Sequence, residues 1–270
     1  MGENYALELR DISKSFGSVQ ANDHVDLTLR KSEILAILGE NGSGKTTLMN
    51  MIYGIYYPDE GHIFVNGKEV TIRSPKDSYE LGIGMVHQHF KLVDVLTAAE
   101  NIVLGLPGKG KLDMKRITED IQKLADKYGF ELDLSQKIYE MSVSQKQTVE
   151  IIKMLYRGAR ILILDEPTIA QDVRGRRRIA EIVRTLSQRG KLVLAILHDM
   201  DFVAECFERV IVMAQGRVVA EGTPRRVFSD AEALQAARLD PPHVTQLCTR
   251  LGYEGVFLTV EEFLHACGRD

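Results

Sequence analysis

The sequence holds few cysteines, no long apolar run and little net charge. Cys206, Cys248 and Cys267 stand far apart, with neither a CxxC pair nor Cys/His ligand spacing. That excludes a disulfide scaffold and a zinc ribbon, and reads most simply as reduced thiols in a cytosolic protein. No stretch of about 18 consecutive apolar residues is present, so no segment reads as a membrane-crossing helix. Met1-Gly2-Glu3-Asn4-Tyr5 lacks the basic and apolar regions of a signal peptide. A net charge of −4 and a pI near 6.0 give no global basic footprint, so nucleic acid is not expected as a partner. The 270 residues are enough for one large domain, or one domain with a small appendage. These absences bound the expectation to a soluble intracellular protein.

What is present is sharper. Gly39-Glu40-Asn41-Gly42-Ser43-Gly44-Lys45-Thr46-Thr47 follows the apolar segment Ile34-Leu35-Ala36-Ile37-Leu38 and opens onto Leu48-Met49-Asn50-Met51-Ile52, which reads as a helix. A strand, a glycine loop and a helix in that order form a P-loop. The glycines let successive N–H groups turn inward around an anion without Cβ clashes, and the helix start adds its positive dipole end. Lys45 would reach the outer phosphates of a nucleoside triphosphate, and the Thr46 hydroxyl would complete a Mg²⁺ shell.

Around this loop the chain divides into blocks. Residues 5–30 alternate apolar and polar, as in Ala6-Leu7-Glu8-Leu9 and Val25-Asp26-Leu27-Thr28-Leu29, which predicts antiparallel strands with one wet face. Val65-Asn66-Gly67-Lys68 carries an Asn-Gly hairpin signal. From about 97 to 157 the pattern turns helical, through Ile117, Ile121, Leu124 and Ala125. Two wholly apolar runs follow, Ile161–Leu164 and Leu192–Leu197. Apolar strands alternating with helices indicate a parallel sheet buried on both faces, hence an α/β fold. After Gly222-Thr223-Pro224 the composition loosens, with Pro241-Pro242 as a break. No internal repeat or low-complexity tract is seen.

Asp165-Glu166 ends the first apolar run, at the carboxyl edge where ligands sit in open α/β sheets. Two acids after a strand often cap the next helix. Beside a P-loop they divide two jobs: Asp165 would hold Mg²⁺ directly or through water, and Glu166 would polarise the attacking water.

With these residues in view, the sequence resembles the nucleotide-binding subunit of an ABC transporter over nearly its whole length. The ordered landmarks are Gly39–Thr47, Gln88 in Val86-His87-Gln88-His89, Met141-Ser142-Val143-Ser144-Gln145, Leu164-Asp165-Glu166-Pro167-Thr168, Asp172 and His198. The resemblance implies a P-loop core with a mostly parallel sheet, an N-terminal antiparallel β subdomain, a helical subdomain at about 90–157 and a small C-terminal extension. The nucleotide-binding domain would span 1–222 and the extension 223–270. It also implies ATP and Mg²⁺ as cofactors and a role for each landmark. Phe16 matches the aromatic on which adenine stacks, with an ordinary core aromatic as the alternative. Gln88 matches the residue that approaches Mg²⁺ and the γ-phosphate, and His198 the switch histidine on that phosphate. Asp172 matches the acid that links two active sites. His87 and His89 have no such support and read as loop residues. Ser142 and Gln145 match the signature that caps the γ-phosphate of ATP held by the opposite subunit, although Val143 and Ser144 replace its two glycines. Val143 adds bulk there, whereas Ser144 could donate its hydroxyl. Thr148 stands where an arginine is common.

Two substrate accents share the chain. Val86–Asp94 with Glu100-Asn101-Ile102, and Gln145–Ile151, look like nucleoside and sugar importer ATPases, which usually carry two such domains in tandem. Thr168–Asp172, Val173–Arg177, His198-Asp199-Met200 and the tail look like energy-coupling-factor ATPases for vitamins and metal ions. In that group the C-terminal extension helps pair two ATPase subunits, and because the tail bears on assembly type more than the central loop does, the resemblance leans to the energy-coupling-factor type. The implied function is uptake of a small solute, a vitamin, metal ion or nucleoside, driven by ATP hydrolysis. The alternatives are a hydrolytically weak subunit paired with a different ATPase, and a soluble ABC ATPase outside transport. Partners would be transmembrane permease subunits, met near Gln88–Glu100, and a second ATP-binding subunit. The place would be the cytoplasmic face of the cell membrane, held peripherally. Gly105–Lys111 reads as a basic loop, and Arg176-Arg177-Arg178 as the exposed start of a helix.

Overall fold

A computed structural model of the chain describes residues 5–106, 113–169 and 171–268. The expectations for residues 1–4, for Pro107–Lys111 of the basic loop and for Ala170 lie outside the described residues.

The alternating segment folds as a long hairpin of β1 (Tyr5–Phe16) and β2 (Val19–Arg30). Further on, β4 (Glu60–Val65) and β5 (Lys68–Val70) meet at the Asn66-Gly67 turn, where Val65 faces Lys68 and both turn residues have positive φ, 52° and 75°. Positive φ at both central positions is what an Asn-Gly hairpin turn requires. Together these strands form a four-stranded antiparallel sheet in the order β2-β1-β4-β5.

The wholly apolar runs become the other sheet. Its strands are β3 (Ile34–Leu38), β6 (Ile83–Val86), β7 (Ile161–Asp165), β8 (Leu192–Ile196), β9 (Arg209–Ala214) and β10 (Arg217–Gly222), ordered β10-β9-β3-β8-β7-β6. All pairings are parallel except β9–β10 at one edge. The strand period of two sends Ile34, Ala36 and Leu38 into one core and Leu35 and Ile37 into the other. Strands β3, β6, β7, β8 and β9 therefore have no wet face, which is why β3, β7 and β8 read as apolar runs, whereas the edge strand β10 is half-exposed.

The second core lies against the antiparallel sheet and α1 (Lys45–Tyr53). A short helix, α2 (Pro75–Glu80), follows before β6. The first core is covered by helices: α3 (Ala98–Val103), α4 (Met114–Lys127), α5 (Val143–Tyr156), α6 (Val173–Gln188) and α7 (Met200–Cys206). In α4, Ile121 and Ala125 are fully buried one turn apart, as their four-residue spacing predicts. Beyond Gly222 come α8 (Pro224–Ser229), α9 (Ala231–Ala236), α10 (His243–Arg250) and α11 (Val260–Ala266). Val227, Phe228, Leu234 and Ala237 join the first core, so the early tail is continuous with it; α11 buries no residue. Pro241-Pro242 breaks the chain between α9 and α10.

Candidate functional site

Strands β3, β8, β7 and β6 are parallel neighbours, so their carboxyl ends share one edge of the sheet. The loop after β3 is Gly39–Lys45, β8 leads to His198, β7 ends in Asp165 before Glu166, and β6 leads to Gln88. Register aligns them: Ile37 and Asp165 both pair with Ile196. The Glu166 N–H donates to the Ile196 carbonyl at 3.1 Å, and the Leu197 N–H to the Ile37 carbonyl at 3.2 Å. Residues more than a hundred positions apart converge here because the strands do.

The glycine loop takes the backbone angles its composition predicts. Gly42 has φ +84° and Gly44 φ +99°, a region L side chains avoid. Lys45 is 4% exposed, and its ammonium donates to the Gly39 and Glu40 carbonyls, both at 2.8 Å, with Ser43 Oγ at 3.4 Å. Burial holds its pKa below the usual lysine value, while Glu166, Asp165 and Glu40 oppose that shift. The loop is buttressed from behind by the Gly216 N–H on the Ser43 carbonyl at 3.1 Å and by Asn22 Nδ2 on the Gly44 carbonyl at 3.3 Å. Asn41, Gly42 and Thr46 are exposed, and Thr47 is half-buried.

Asp165 is 9% exposed, and its Oδ1 is buried without a hydrogen-bond partner among the described residues. Burial, then the Glu166 charge, raises its pKa; Lys45, His198 and His89 pull the other way. Glu166 sits in a left-handed turn, φ +51°, and its Oε1 lies 2.9 Å from His198 Nε2. A buried carboxylate oxygen left without a donor is costly unless an ion or water satisfies it. No group of three His, Cys, Asp or Glu side chains able to hold a metal occurs among the described residues. Mg²⁺ needs none, because it takes most of its ligands from phosphate and water. The Asp165 oxygen and the exposed Thr46 hydroxyl fit that ion.

The other expected residues lie elsewhere. Phe16, 44% exposed at the end of β1, meets Tyr56 edge-on at 5.0 Å and has the Lys14 ammonium 5.5 Å from its ring centre. Ser142 and Gln145 bond to each other: the Gln145 N–H donates to Ser142 Oγ at 3.3 Å and the Ser142 N–H to Gln145 Oε1 at 2.9 Å. This capping box starts α5 and leaves Val143 exposed. Thr148 donates to the Ser144 carbonyl at 3.0 Å. Asp172 caps α6 by accepting the Gly175 N–H at 2.7 Å. Arg176, in the same helix, pairs with Asp199 at 2.5 Å.

Some contributors were not found by sequence reasoning. The Ser142-x-x-Gln145 spacing signals the capping box. Asn22 and the Gln171-to-Gln147 hydrogen bond, 3.0 Å, carry no local signal because their partners are remote in sequence.

Comparison with known proteins matches this geometry. The ABC transporter family model matches residues 22–169. The chain is 44% identical over 215 residues to the guanosine import ATP-binding protein NupO of Bacillus subtilis, covering 79% of this chain and 42% of that protein. It is 43% identical over 221 residues to the nucleoside import ATP-binding protein NupA of Lactococcus lactis, covering 81% and 44%. The chain thus spans less than half the length of these curated relatives. Among solved structures it is similar to cbiO1 of Clostridium perfringens, part of the transporter complex cbiONQ, with TM-score 0.75, 28% identity and coverage of 93% and 98%. A nucleotide-free ATP-binding cassette from an ABC transporter gives TM-score 0.75 and 29% identity, covering 86% and 98%. By sequence and by fold, the chain belongs to the ABC transporter family.

Proposed function

We propose that this chain is an ATP-hydrolysing subunit of an ABC importer, coupling turnover of ATP to solute uptake through partner membrane subunits. The observation that carries the reading is the Glu166–His198 hydrogen bond beside the partnerless Asp165 oxygen, at the mouth of the glycine loop. The N–H groups of residues 39–47 would cradle the phosphates, with the Lys45 ammonium turning from the loop carbonyls to the outer phosphates. Thr46, Asp165 and Gln88 would hold Mg²⁺, which neutralises charge on the phosphates. Glu166 takes the proton of the attacking water, a role worth about 10²–10⁴-fold in rate. His198 orients Glu166 and reaches the γ-phosphate.

In this reading Phe16 stacks on adenine. The first turn of α5, with Ser142 and Gln145, faces ATP held by a second ATP-binding subunit. Because the capping box uses both side chains, the unbonded N–H groups of that turn meet the phosphate. Asp172 links the two sites, and residues 223–270 act as an extension that helps pair subunits. No helix among the described residues is long and apolar enough to cross a membrane; permease subunits would hold the chain at the cytoplasmic face.

The relatives at 43–44% identity favour a nucleoside as solute. The likeness to cbiO1, which covers 93% of this chain, favours the second reading, an energy-coupling-factor subunit for a vitamin or metal ion. Uptake by vesicles holding the chain with its permease subunits separates the two. The nucleotide assignment is tested by equilibrium ATP binding to Lys45→Ala. Losing a charged contact worth about 1.5–3 kcal/mol weakens binding about 10–100-fold; unaltered affinity contradicts the assignment.

A further inference from the structure

The loop that carries Gln88 is held by buried side chains that the proposed chemistry does not use. Glu150, in the middle of α5, is 2% exposed, and its Oε1 accepts the Lys91 backbone N–H at 2.5 Å. Nearly one turn further along α5, Lys153 donates from Nζ to the Lys91 carbonyl at 3.2 Å. A carboxylate and an ammonium at i and i+3 thus grip both backbone groups of one loop residue. On the other side, the His87 ring stands edge-on to Tyr53 at 5.4 Å, and the Tyr53 hydroxyl bonds that of Tyr79 at 2.7 Å. Tyr53 ends α1, the helix that begins at Lys45, whereas α5 begins at the Ser142–Gln145 box. Gln88 is therefore bracketed by one anchor on the helix of the glycine loop and another on the helix of the signature segment.

Burying an acid is costly, and an apolar side chain of similar volume would often pack there at no loss of stability. Burial pushes the Glu150 carboxyl up and the Lys153 ammonium down from their ordinary values. What an apolar residue could not do is accept the Lys91 N–H.

We propose that Glu150, with Lys153, is a positioning residue that locks the Gln88 loop to α5. This rests on the reading of Gln88 as the residue that approaches Mg²⁺ and the γ-phosphate.

The test is a double-variant cycle on the full chain, with steady-state ATP hydrolysis of the parent, Glu150→Ala, Gln88→Ala and the pair. Misplacing an acting group by about 1 Å costs up to about 100-fold, so Glu150→Ala lowers kcat about tenfold or more while KM for ATP moves less than about twofold. Glu150→Gln, which keeps an oxygen for the Lys91 N–H, recovers most of kcat. In the Gln88→Ala background, Glu150→Ala costs less than about twofold, because the residue through which it acts is gone. Full kcat in Glu150→Ala overturns the proposal. Effects that multiply, with Gln88→Ala itself defective, overturn it and leave the Gln88 reading standing. Full kcat in Gln88→Ala overturns both. Amide exchange gives a readout apart from activity: Glu150→Ala exposes the Lys91 amide and leaves α5 protected, whereas loss of protection throughout α5 contradicts the positioning role. Lys153→Met, which removes the bond to the Lys91 carbonyl and the positive charge near Glu150, runs the same cycle if Glu150→Ala does not fold.

Discussion

Alanine at Gly42 and at Gly44 adds the same methyl group two residues apart, and the structure predicts unequal costs. Both positions have positive φ, +84° and +99°, so either substitution costs about 1–2 kcal/mol for holding an L residue in the left-handed region. At Gly42 a Cβ meets nothing within 4 Å, and that conformational cost is the whole effect. At Gly44 it would lie 2.3 Å from the Ala21 carbonyl oxygen and 2.7 Å from Asn22 Nδ2. Backbone there must move, and overpacking of this kind adds about 1–3 kcal/mol. Gly44→Ala is therefore expected to lose about 2–5 kcal/mol and Gly42→Ala about 1–2 kcal/mol. Urea unfolding without nucleotide measures both. Repeating it with Mg-ATP at a hundredfold excess over Kd should stabilise the parent by about 2.7 kcal/mol. If the loop cradles phosphate as proposed, Gly42→Ala loses most of that gain, because its methyl group would occupy the open space beside the loop. Equal destabilisation by the two variants, or the full ATP gain in Gly42→Ala, refutes the reasoning.

Arg209→Leu tests the network behind the same sheet. Arg209 is 10% exposed at its side chain and reaches Glu33 at 3.0 Å, Glu221 at 2.6 Å and the Thr28 carbonyl at 2.9 Å. Its loss strands the buried Glu33 charge and should cost about 3–5 kcal/mol in urea unfolding; under about 1 kcal/mol would show that solvent screens the pair. His243 tests how the tail is fastened: its hydrogen bond to Asp201, then the Asp201 charge, raises its pKa. Its stabilisation is complete below the free imidazole value of about 6.5 and is lost as pH rises through the raised value. His243→Ala should therefore lower Tm more at about pH 6 than at about pH 9; an equal drop at both contradicts the pairing.

How much was readable in advance follows from where each partner lies along the chain. Ile34–Thr47 predicts its own strand, turn and helix because the constraint is local: glycine stands where φ must be positive. The apolar runs at 161–164 and 192–197 announced buried parallel strands, and with them the edge that gathers Asp165, Glu166 and His198. Val65–Lys68 predicted its hairpin for the same local reason. The Arg209–Glu33 pair spans 176 positions and left no trace in either neighbourhood. Glu150 reads as one more polar residue of an amphipathic helix until the Lys91 backbone is seen against it. Ser142 and Gln145 carry two signals at once, a family pattern and the capping-box spacing that starts α5. Local backbone demands and burial period are written in adjacent residues; long-range polar satisfaction is not.

The central claim is that the edge formed by Lys45, Asp165, Glu166 and His198 hydrolyses ATP. It is tested most directly by ATP turnover of the purified chain beside Glu166→Gln, with ATP binding and dimerisation followed at saturating Mg-ATP. The account predicts that Glu166→Gln binds ATP as the parent does, forms an ATP-stabilised dimer and loses about 10²–10⁴-fold in turnover. Parental turnover in Glu166→Gln would contradict it.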